Sequence, residues 1–426
     1  MTFTPPASLT AAIARSERIF AQAAQQSADA RGVTRMAYGD SETRMLALLE
    51  EHAGEIGLQT GSDPAGNLYM TLPGADRSLP IVLTGSHADS VPQGGNYDGL
   101  AGILAGMAVL ESLAAEGFRP SRDLAVVAFR GEENAWFGAQ HLGSRAALGL
   151  ISPDALTSAH RSHDGMRLDD CMRSQGVDPV QLTSGDPFLT PGNVKCYVEA
   201  HIEQGPVLLQ AGIPVGIVSG IRGNVRCPQA SCHGEYGHAG VVPLALRRDA
   251  VAASCRLVTQ MQSFWEELEA QGHDLVLTFG KLHTDPAAHA VTTISGRVDF
   301  SFEARSHSVS TLDLVQERML RLAQEISDAC GVTFSFPKWT RGQPAEMDAH
   351  LIQSQRDALQ VCGTPFQELA SGAGHDAQDF VAAGIPAAMF FIRNANGSHN
   401  PDESMEMDDY AATVAALLHV LKSESA

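Results

Sequence analysis

The stretch IVLTGSHADSVPQGGNYDGLAGILAGMAVLESLAAEG, residues 81–117, decides the fold class of this chain. Its first seven residues, IVLTGSH, form a short apolar run that predicts a buried parallel strand. A glycine-rich turn follows, and the remaining GLAGILAGMAVLESLAAEG is apolar on nearly every side, which predicts a buried helix. A buried strand that leads into a buried helix indicates an α/β fold.

Other segments of the chain repeat this pattern. DLAVVAFRGEE (123–133) and CYVEAHIEQG (196–205) are short apolar runs, and both are predicted to be buried strands. Near the other end of the chain, PAAMFFIR (386–393) predicts one more buried strand, and MDDYAATVAALLHVLK (407–422) predicts the last helix. Segments from both ends of the chain therefore contribute to one α/β domain.

The segment 214–330 has a different pattern. Apolar residues recur there at helical spacing in two stretches and alternate with polar residues in two others. In chain order these are RRDAVAASCRLVTQMQSFWEELEAQG, DLVLTFGKLH, RVDFSFEARS and LDLVQERMLRLAQEISDAC. Helices on one side of an antiparallel sheet make a compact α+β unit. We therefore predict a discontinuous larger domain, residues 1–213 and 331–426, with a smaller domain inserted at 214–330.

The net charge excludes two classes of partner. The 426 residues include 29 Lys and Arg against 49 Asp and Glu, which gives a formal net charge of −20. Nucleic acids and anionic membranes both attract clustered positive charge, so neither is expected to bind this protein. A small acidic substrate stays open, because one local arginine can bind it regardless of the distant surface charge.

The cysteines and the N-terminal residues predict a cytoplasmic protein. Seven scattered cysteines, with no C-x-x-C pair, are typical of a reducing compartment. The first twenty residues, MTFTPPASLTAAIARSERIF, lack the continuous apolar stretch of a signal peptide. No run of 18 apolar residues occurs, so no membrane span is expected.

Ionisable residues follow each predicted strand at its carboxyl end. In chain order these residues are His87, Asp89, Asp98, Glu132, Glu133, His201 and His399. Ligands of open α/β sheets bind beyond the carboxyl ends of the strands, where such residues meet. Imidazoles and carboxylates together are the ligand set that divalent zinc or manganese prefers.

Each of these residues also has an ordinary structural interpretation. A histidine at a strand end is often a hydrogen-bonded core residue, and paired glutamates such as Glu132 and Glu133 are usually solvated. Asp89 could cap a turn, and Asp98 could cap the following helix. Five coincidences at successive strand ends are improbable under that interpretation, so the sequence predicts a metal site.

Six motifs in this order resemble one family of amidases with two metal ions. They are GSHADSVPQGGNYDG, RGEENAWFGAQHLGSR, EAHIEQGPVL, GHAGVVPLALRRDA, SGAGHDA and NGSHNPDE, within residues 39–403. The family comprises N-carbamoyl-L-amino-acid hydrolases, allantoate and ureidoglycolate amidohydrolases, and β-ureidopropionases. The resemblance implies an α/β, zinc-exopeptidase-like catalytic domain with an inserted α+β (ferredoxin-like) domain that serves as a lid and in homodimer formation.

The resemblance also implies roles for the residues at the strand ends. His87, Asp98 and His201 would hold one divalent ion, and Asp98 would bridge to a second ion held by Glu133 and His399. The ions are expected to be zinc, with manganese, cobalt or nickel as alternatives. Asp89 would orient His87. Glu132 would be the general base.

The resemblance also implies that further residues act on the substrate. His238 would stabilise the oxyanion, although by itself it is typical of a surface histidine. Gln204, His375 and Arg305 would contact the substrate, and the Arg305 guanidinium suits a bidentate grip on a carboxylate. Without the resemblance, Arg305 would be a solvated strand residue.

This chain departs from the family pattern at three places, one of which is FIRNANGSH (391–399), where the stretch before the last histidine differs from the family's form. Thr292, in TTISG, stands where the family has an asparagine, and His289 is an alternative substitute for it. Trp136, in EENAWF, stands where the family has an arginine. The expected metal ligands are intact, so the chemistry is better determined than the substrate.

The expected function is hydrolysis of a carbamoyl-type linear amide on a small carboxylated molecule, foremost an N-carbamoyl-L-amino acid, with release of ammonia and carbon dioxide. Three alternatives stay open: an allantoate or ureidoglycolate amidohydrolase, an aminoacylase or dipeptidase-like hydrolase, and a non-catalytic metabolite-binding module. Loss of Glu132 or of a metal ligand would have favoured the last of these, and none is lost.

Overall fold

The computed structural model describes residues 4–184 and 186–426, which form two units. Gly220–Glu346 is the second unit, and the residues on either side of it make up the first. The helices are α1 (Ala7–Gln26), α2 (Asp40–Glu55), α3 (Leu100–Ala115), α4 (Leu142–Ala147), α5 (Pro153–Ser158), α6 (Leu168–Ser174), α7 (Gln181–Ser184), α8 (Val207–Ala211), α9 (Ala250–Ala270), α10 (Val309–Cys330), α11 (Ala349–Cys362), α12 (Asp376–Ala382) and α13 (Met407–Glu424), with a 3₁₀ turn at Leu244–Leu246.

The strands are β1 (Gln59–Ser62), β2 (Leu68–Leu72), β3 (Ile81–His87), β4 (Leu124–Phe129), β5 (Val194–Ile202), β6 (Val215–Ile221), β7 (Gly223–His233), β8 (Gly237–His238), β9 (Val276–Thr284), β10 (Thr293–Ile294), β11 (Arg297–Ser306), β12 (Thr333–Ser335), β13 (Thr340–Gly342), β14 (Ala345–Glu346), β15 (Phe366–Ser371), β16 (Ala387–Ile392), β17 (Asn394–Ala395) and β18 (Ser404–Met405). The strands and helices predicted from the apolar pattern are thus all present.

A mixed sheet forms the centre of the first unit, in the order β1-β2-β4-β3-β5-β16-β6, with β15 paired to β6. Its four central strands, β4, β3, β5 and β16, run parallel to one another. Helix α3 packs on β3 and β5, and α1 and α13 pack on α3. Because parallel strands end at the same edge, the residues that follow these four strands are brought together.

Strand β4 ends earlier than its sequence predicts. The apolar pattern predicted a strand through Glu133, but β4 ends at Phe129. The carbonyls of Arg130, Gly131 and Glu132 accept hydrogen bonds from the backbone N–H groups of residues 143, 142 and 141 instead of from a neighbouring strand. The chain therefore leaves the sheet before the two glutamates, and both lie in a loop.

The second unit has the β-α-β-β-α-β order of ferredoxin-like folds, formed by β7, α9, β9, β11, α10 and β12. Its sheet order is β12-β7-β11-β9, and each neighbouring pair is antiparallel. Residues of β11 alternate between buried and less buried along the strand, as their sequence predicts. The buried side chains pack on α9 and α10 in a core of their own.

Both predicted domain boundaries are wrong by several residues. The inserted unit spans Gly220–Glu346 rather than 214–330. Residues 215–218 belong to the first unit because they pair with β16 in its central sheet. Strands β12 and β13 belong to the second unit because they pair with β7. Both strands are three residues long, and so short a segment has little apolar pattern to read.

Two predictions about the whole chain can be compared with the described residues. Among the helices described, none combines the length and the apolar character needed to cross a bilayer. The seven cysteines are all free thiols.

Candidate metal centre

The ends of β3 and β5 and the loops at the carboxyl edge of the central sheet bring five predicted ligands into two groups that share Asp98. In the first group, Asp98 Oδ1 lies 3.1 Å from His201 Nε2 and 3.5 Å from His87 Nε2. In the second, His399 Nε2 lies 3.5 Å from Asp98 Oδ2 and 3.2 Å from Glu133 Oε1. Each oxygen of Asp98 therefore faces one group, which is the arrangement of a bridging carboxylate.

The residues present fit two divalent cations. Asp98 Oδ1 is buried and has no hydrogen-bond partner among the described residues, and an ion between it and the two imidazoles would satisfy it. Imidazole nitrogens and carboxylate oxygens are suitable donors for zinc and for its first-row neighbours. The side chain of His399 is half exposed whereas the other four are buried, so the second group can be reached from solvent.

The electrostatics of this cluster also favour a cation. Burial raises the pKa of Glu133 to about 7, although a hydrogen bond with His399 opposes the shift. The contact with Glu133 raises the pKa of His399 to about 9. Burial lowers the pKa of His201, but Asp98 outweighs it and raises that pKa to about 9. Crowded carboxylates thus hold protons on the imidazoles, and these are protons that a bound metal ion displaces.

Asp89 connects the loops that carry these groups. It is fully buried, and its Oδ1 and Oδ2 accept hydrogen bonds from the backbone N–H groups of Glu132 and Glu133, at 3.0 and 3.2 Å. His87 Nδ1 lies 3.4 Å from Asp89 Oδ1 and 3.2 Å from the Asp89 carbonyl oxygen. The carboxylate therefore contacts His87, which we expect it to orient, and it also holds the backbone of both glutamates, which sequence reasoning missed.

Glu132 lies beside the first group without belonging to either. Its Oε2 is 4.0 Å from His87 Nε2, and its Oε1 is 3.2 Å from His141 Nε2. Burial raises the pKa of Glu132, but the hydrogen bond with His141 and the charges of His87 and His141 outweigh it and hold the pKa at about 2. An ionised carboxylate next to the cluster is the state that a general base needs.

Sequence reasoning also missed the partly buried Ser398 and the buried Glu403, which lie behind Asp98. The Ser398 hydroxyl lies 2.7 Å from Asp98 Oδ2 and 2.6 Å from Glu403 Oε2. Glu403 Oε1 accepts hydrogen bonds from the backbone N–H groups of Tyr97 and Asp98, so this pair fixes the shared carboxylate. Both residues occur in NGSHNPDE, but nothing in the motif shows that they reach back about 300 positions.

Two predicted substrate contacts lie at the cluster. Gln204, at a left-handed φ of 62°, donates from Nε2 to Asp98 Oδ2 at 3.0 Å, so it also holds the shared carboxylate. His375 is buried with its ring 4.5 Å from that of His201, and its Nε2 lies 2.9 Å from the Ser371 hydroxyl. Burial, aided by the charge of His201, holds the pKa of His375 well below its usual range.

The other predicted substrate contacts belong to the second unit. His238 is exposed on β8, and the residue after Thr292 pairs with it across the β8–β10 ribbon. His289 is exposed, with its Nδ1 2.7 Å from the Thr284 hydroxyl. Arg305 is half-buried on β11 and forms an ion pair with Glu303 at 3.1 Å.

Trp136, which stands where the resemblance led us to expect an arginine, has a structural role. Its ring is buried in a cluster with Tyr38 and Phe137. Its indole Nε1 donates to the carbonyl oxygen of Ser90 at 2.8 Å. This bond ties the loop of the two glutamates to the loop that carries Asp89.

Comparison with known proteins points to hydrolases. Residues 83–423 match the model of peptidase family M20/M25/M40. The chain is 35% identical to N-carbamoyl-L-amino acid amidohydrolase of Geobacillus stearothermophilus, over 92% of this chain and 93% of the relative. It is 33% identical to allantoate amidohydrolase of Escherichia coli, over 92% of each. A solved amidase of the hydantoinase/carbamoylase family from Burkholderia multivorans is similar, with a TM-score of 0.87 and 27% identity over 97% of this chain and 98% of that one.

Proposed function

The chain belongs to peptidase family M20/M25/M40 as a hydantoinase/carbamoylase-type amidase, and we propose that it uses two zinc ions to hydrolyse N-carbamoyl-L-amino acids. The observation that carries this proposal is the pair of ligand groups sharing Asp98, with the ionised Glu132 beside them. His87, His201 and Asp98 hold one ion, and Glu133, His399 and Asp98 hold the other. Family membership itself establishes a hydrolase of carbon–nitrogen bonds.

The residues of the chain then have separate tasks. The metal ions, when bound, polarise the scissile carbonyl and lower the pKa of water. Glu132 accepts the proton of the attacking water on its carboxylate and delivers it to the leaving nitrogen. His238 donates a hydrogen bond to the developing oxyanion, and Arg305 binds the substrate carboxylate. The ureido carbon leaves as carbon dioxide, with ammonia and the free amino acid as the other products.

The substrate class rests on the relatives. Both an N-carbamoyl-L-amino acid amidohydrolase and an allantoate amidohydrolase match nearly the whole chain, at 35% and 33% identity. Both names denote enzymes of small molecules, which agrees with a net charge of −20, since that charge disfavours nucleic acid as a partner. The free thiols support a reducing, cytoplasmic location.

A substrate screen with two readouts tests this proposal. The metal-loaded protein is incubated with N-carbamoyl-L-amino acids, their D-enantiomers, allantoate, ureidoglycolate, N-acyl amino acids and dipeptides. Ammonia release from N-carbamoyl-L-amino acids supports the proposal. Ammonia only from allantoate or ureidoglycolate would move the assignment to the second relative, and cleavage of acyl or peptide bonds without ammonia would move it to an aminoacylase or dipeptidase.

We also propose that the protein is a homodimer formed through the inserted unit, in which His238 and Arg305 serve the metal site of the partner subunit. The sheet of the second unit supports pairing of this kind, because β9 lies at one edge of it, beside β11, and exposed sheet edges are commonly covered by a second chain.

Complementation between inactive chains tests the exchange of residues. Glu132→Gln and Arg305→Ala chains are mixed after subunit exchange has been shown by tagged pull-down. Random re-pairing makes about half of the dimers mixed, each with one intact site of two, so about a quarter of wild-type activity should return. With exchange shown and activity unchanged, Arg305 does not serve the partner's site.

A further inference from the structure

We propose that His141, backed by Asp379, is a positioning residue that holds the Glu132 carboxylate against the metal centre, an inference that rests on the proposed function. The two oxygens of Glu132 have different neighbours: Oε1 lies 3.2 Å from His141 Nε2, and Oε2 points toward His87, 4.0 Å away. Holding Oε1 leaves Oε2 as the oxygen turned toward the reacting water. The motif match assigns no role to His141 or to Asp379.

The position of His141 relative to Glu132 is set by the backbone as well as by the side chain. The His141 backbone N–H donates to the Glu132 carbonyl oxygen at 2.8 Å. Its φ of 56° and ψ of 38° place it in the left-handed region, which is uncommon for a residue other than glycine. Such a conformation persists where the surrounding structure requires it, and here it turns the imidazole back onto the carboxylate it must reach.

Both ring nitrogens of His141 face a carboxylate. Nδ1 lies 2.6 Å from Asp379 Oδ2, and Nε2 faces Glu132, so the ring sits between two acceptors. An ionised carboxylate can only accept, so the ring donates from both nitrogens and carries a positive charge. Burial lowers the pKa of His141, but Asp379 and Glu132 outweigh it and hold that pKa well above its usual range.

The surroundings fix the ring in this orientation. His141 is 2% exposed, and a Cβ on Gly374 would lie only 3.1 Å from its Nε2. The glycine therefore permits the close approach of the SGAGHDA loop to the ring. The neighbouring Ser144 hydroxyl donates to Asp376 at 2.5 Å, which ties α4 to the helix that carries Asp379.

The alternative role for His141 is a buried ion pair that only stabilises the fold. A double-mutant cycle distinguishes this structural role from the positioning of Glu132. His141→Leu removes the donor to Glu132, whereas His141→Gln restores an N–H donor, and Asp379→Asn weakens the support of the ring. Each change is made in the wild-type and in the Glu132→Gln background, and kcat, KM and bound metal are measured with the substrate that releases most ammonia in the screen. His52→Leu is the matched control, because both ring nitrogens of His52 are also hydrogen-bonded, to Glu55 and Gln22.

We expect His141→Leu to lower kcat about 10- to 100-fold with two metals retained and KM little changed. His141→Gln should recover most of that loss, and His52→Leu should show none. In the Glu132→Gln background, His141→Leu should have almost no further effect, because a residue that acts through Glu132 has nothing left to act on. An unchanged kcat in His141→Leu, or a loss that adds in full to that of Glu132→Gln, would overturn the proposal.

A spectroscopic measurement on the metal-free protein makes the test independent of turnover. Nitrogen-15 correlation spectra of the histidine rings, assigned with His141→Gln, should show His141 protonated on both nitrogens at pH 7.5. The Nε2 signal should shift in Glu132→Gln, and a neutral ring or an unshifted signal would contradict the contact. If Glu132→Gln keeps full turnover while the signal shifts, Glu132 is not the base but the contact stands. If no substrate of the screen releases ammonia while the signal shifts, the proposed function fails and the contact still stands.

Discussion

Asp89→Asn is the substitution that most directly probes how the metal centre is held together. The fully buried carboxylate accepts the backbone N–H of Glu132 with one oxygen and that of Glu133 with the other, at 3.0 and 3.2 Å. Asparagine keeps one carbonyl oxygen and replaces the other oxygen with an NH₂ group, which cannot accept. One of the two glutamates therefore loses its backbone anchor, and two donors face each other in a buried place.

The magnitude follows from the bond that is lost. A hydrogen bond to a charged group contributes about 1.5–3 kcal/mol, so removing one costs about 2 kcal/mol. At about 1.4 kcal/mol for each factor of ten, this is a loss of about 30-fold. We expect this loss in the affinity for the ion that Glu133 helps to hold. We also expect it in kcat, because the Asp89 carboxylate anchors the backbone of Glu132 as well.

The assay is competition with a chelator of known affinity, followed by metal analysis and steady-state kinetics. Asp123→Asn is the matched control: Asp123 is a buried carboxylate that accepts the Gly74 N–H at 2.8 Å, but it lies just before β4, at the opposite end of the strand from the glutamates. Asp123→Asn should lower the free energy of unfolding without changing the affinity for metal ions. If folded Asp89→Asn binds both ions within about 3-fold of wild type, the view that Asp89 organises the centre is refuted.

Three further predictions concern the base, the protons and the fold. Glu132→Gln should keep both metal ions and lose about 100- to 10,000-fold in kcat, because the amide cannot take a proton; near-normal turnover would exclude Glu132 as the base. Metal uptake should release protons, and metal affinity should rise between pH 6 and pH 9, because the pKa values of His201 and His399 in the metal-free protein are about 9 and only the neutral imidazole binds a metal ion. Calorimetry in two buffers measures the proton release, and a metal affinity that does not depend on pH would contradict this prediction. Gly85→Ala should abolish soluble expression or strongly destabilise the protein, because the φ of Gly85 is 141° and a Cβ there would lie 1.9 Å from the Val127 carbonyl oxygen. A variant that melts at the wild-type temperature would show that β3 and β4 can move apart at this position.

Much of the fold could be predicted because it depends on local pattern. The apolar run at 81–87 and the apolar stretch after it became β3 and α3, and the alternation at 297–306 became β11 with the same bounds. Apolar periodicity is a property of neighbouring residues, so the sequence expresses it directly. The domain boundaries failed for the same reason, since three-residue strands such as β12 exist only through their pairing with β7.

The sequence by itself determined which residue types gather at the carboxyl edge of the sheet, since each of them follows a predicted strand. Only the tertiary structure decided how they contact one another. Asp89 holds the backbone of Glu132 and Glu133, and Asp379 meets His141 across 238 positions. Hydrogen bonds act over about 3 Å, and such a distance between remote residues is set by strand order, loop conformation and packing rather than by spacing along the chain. Periodicity can therefore predict which edge of the sheet carries a site, but the partner of each buried charge emerges only when the chain is folded.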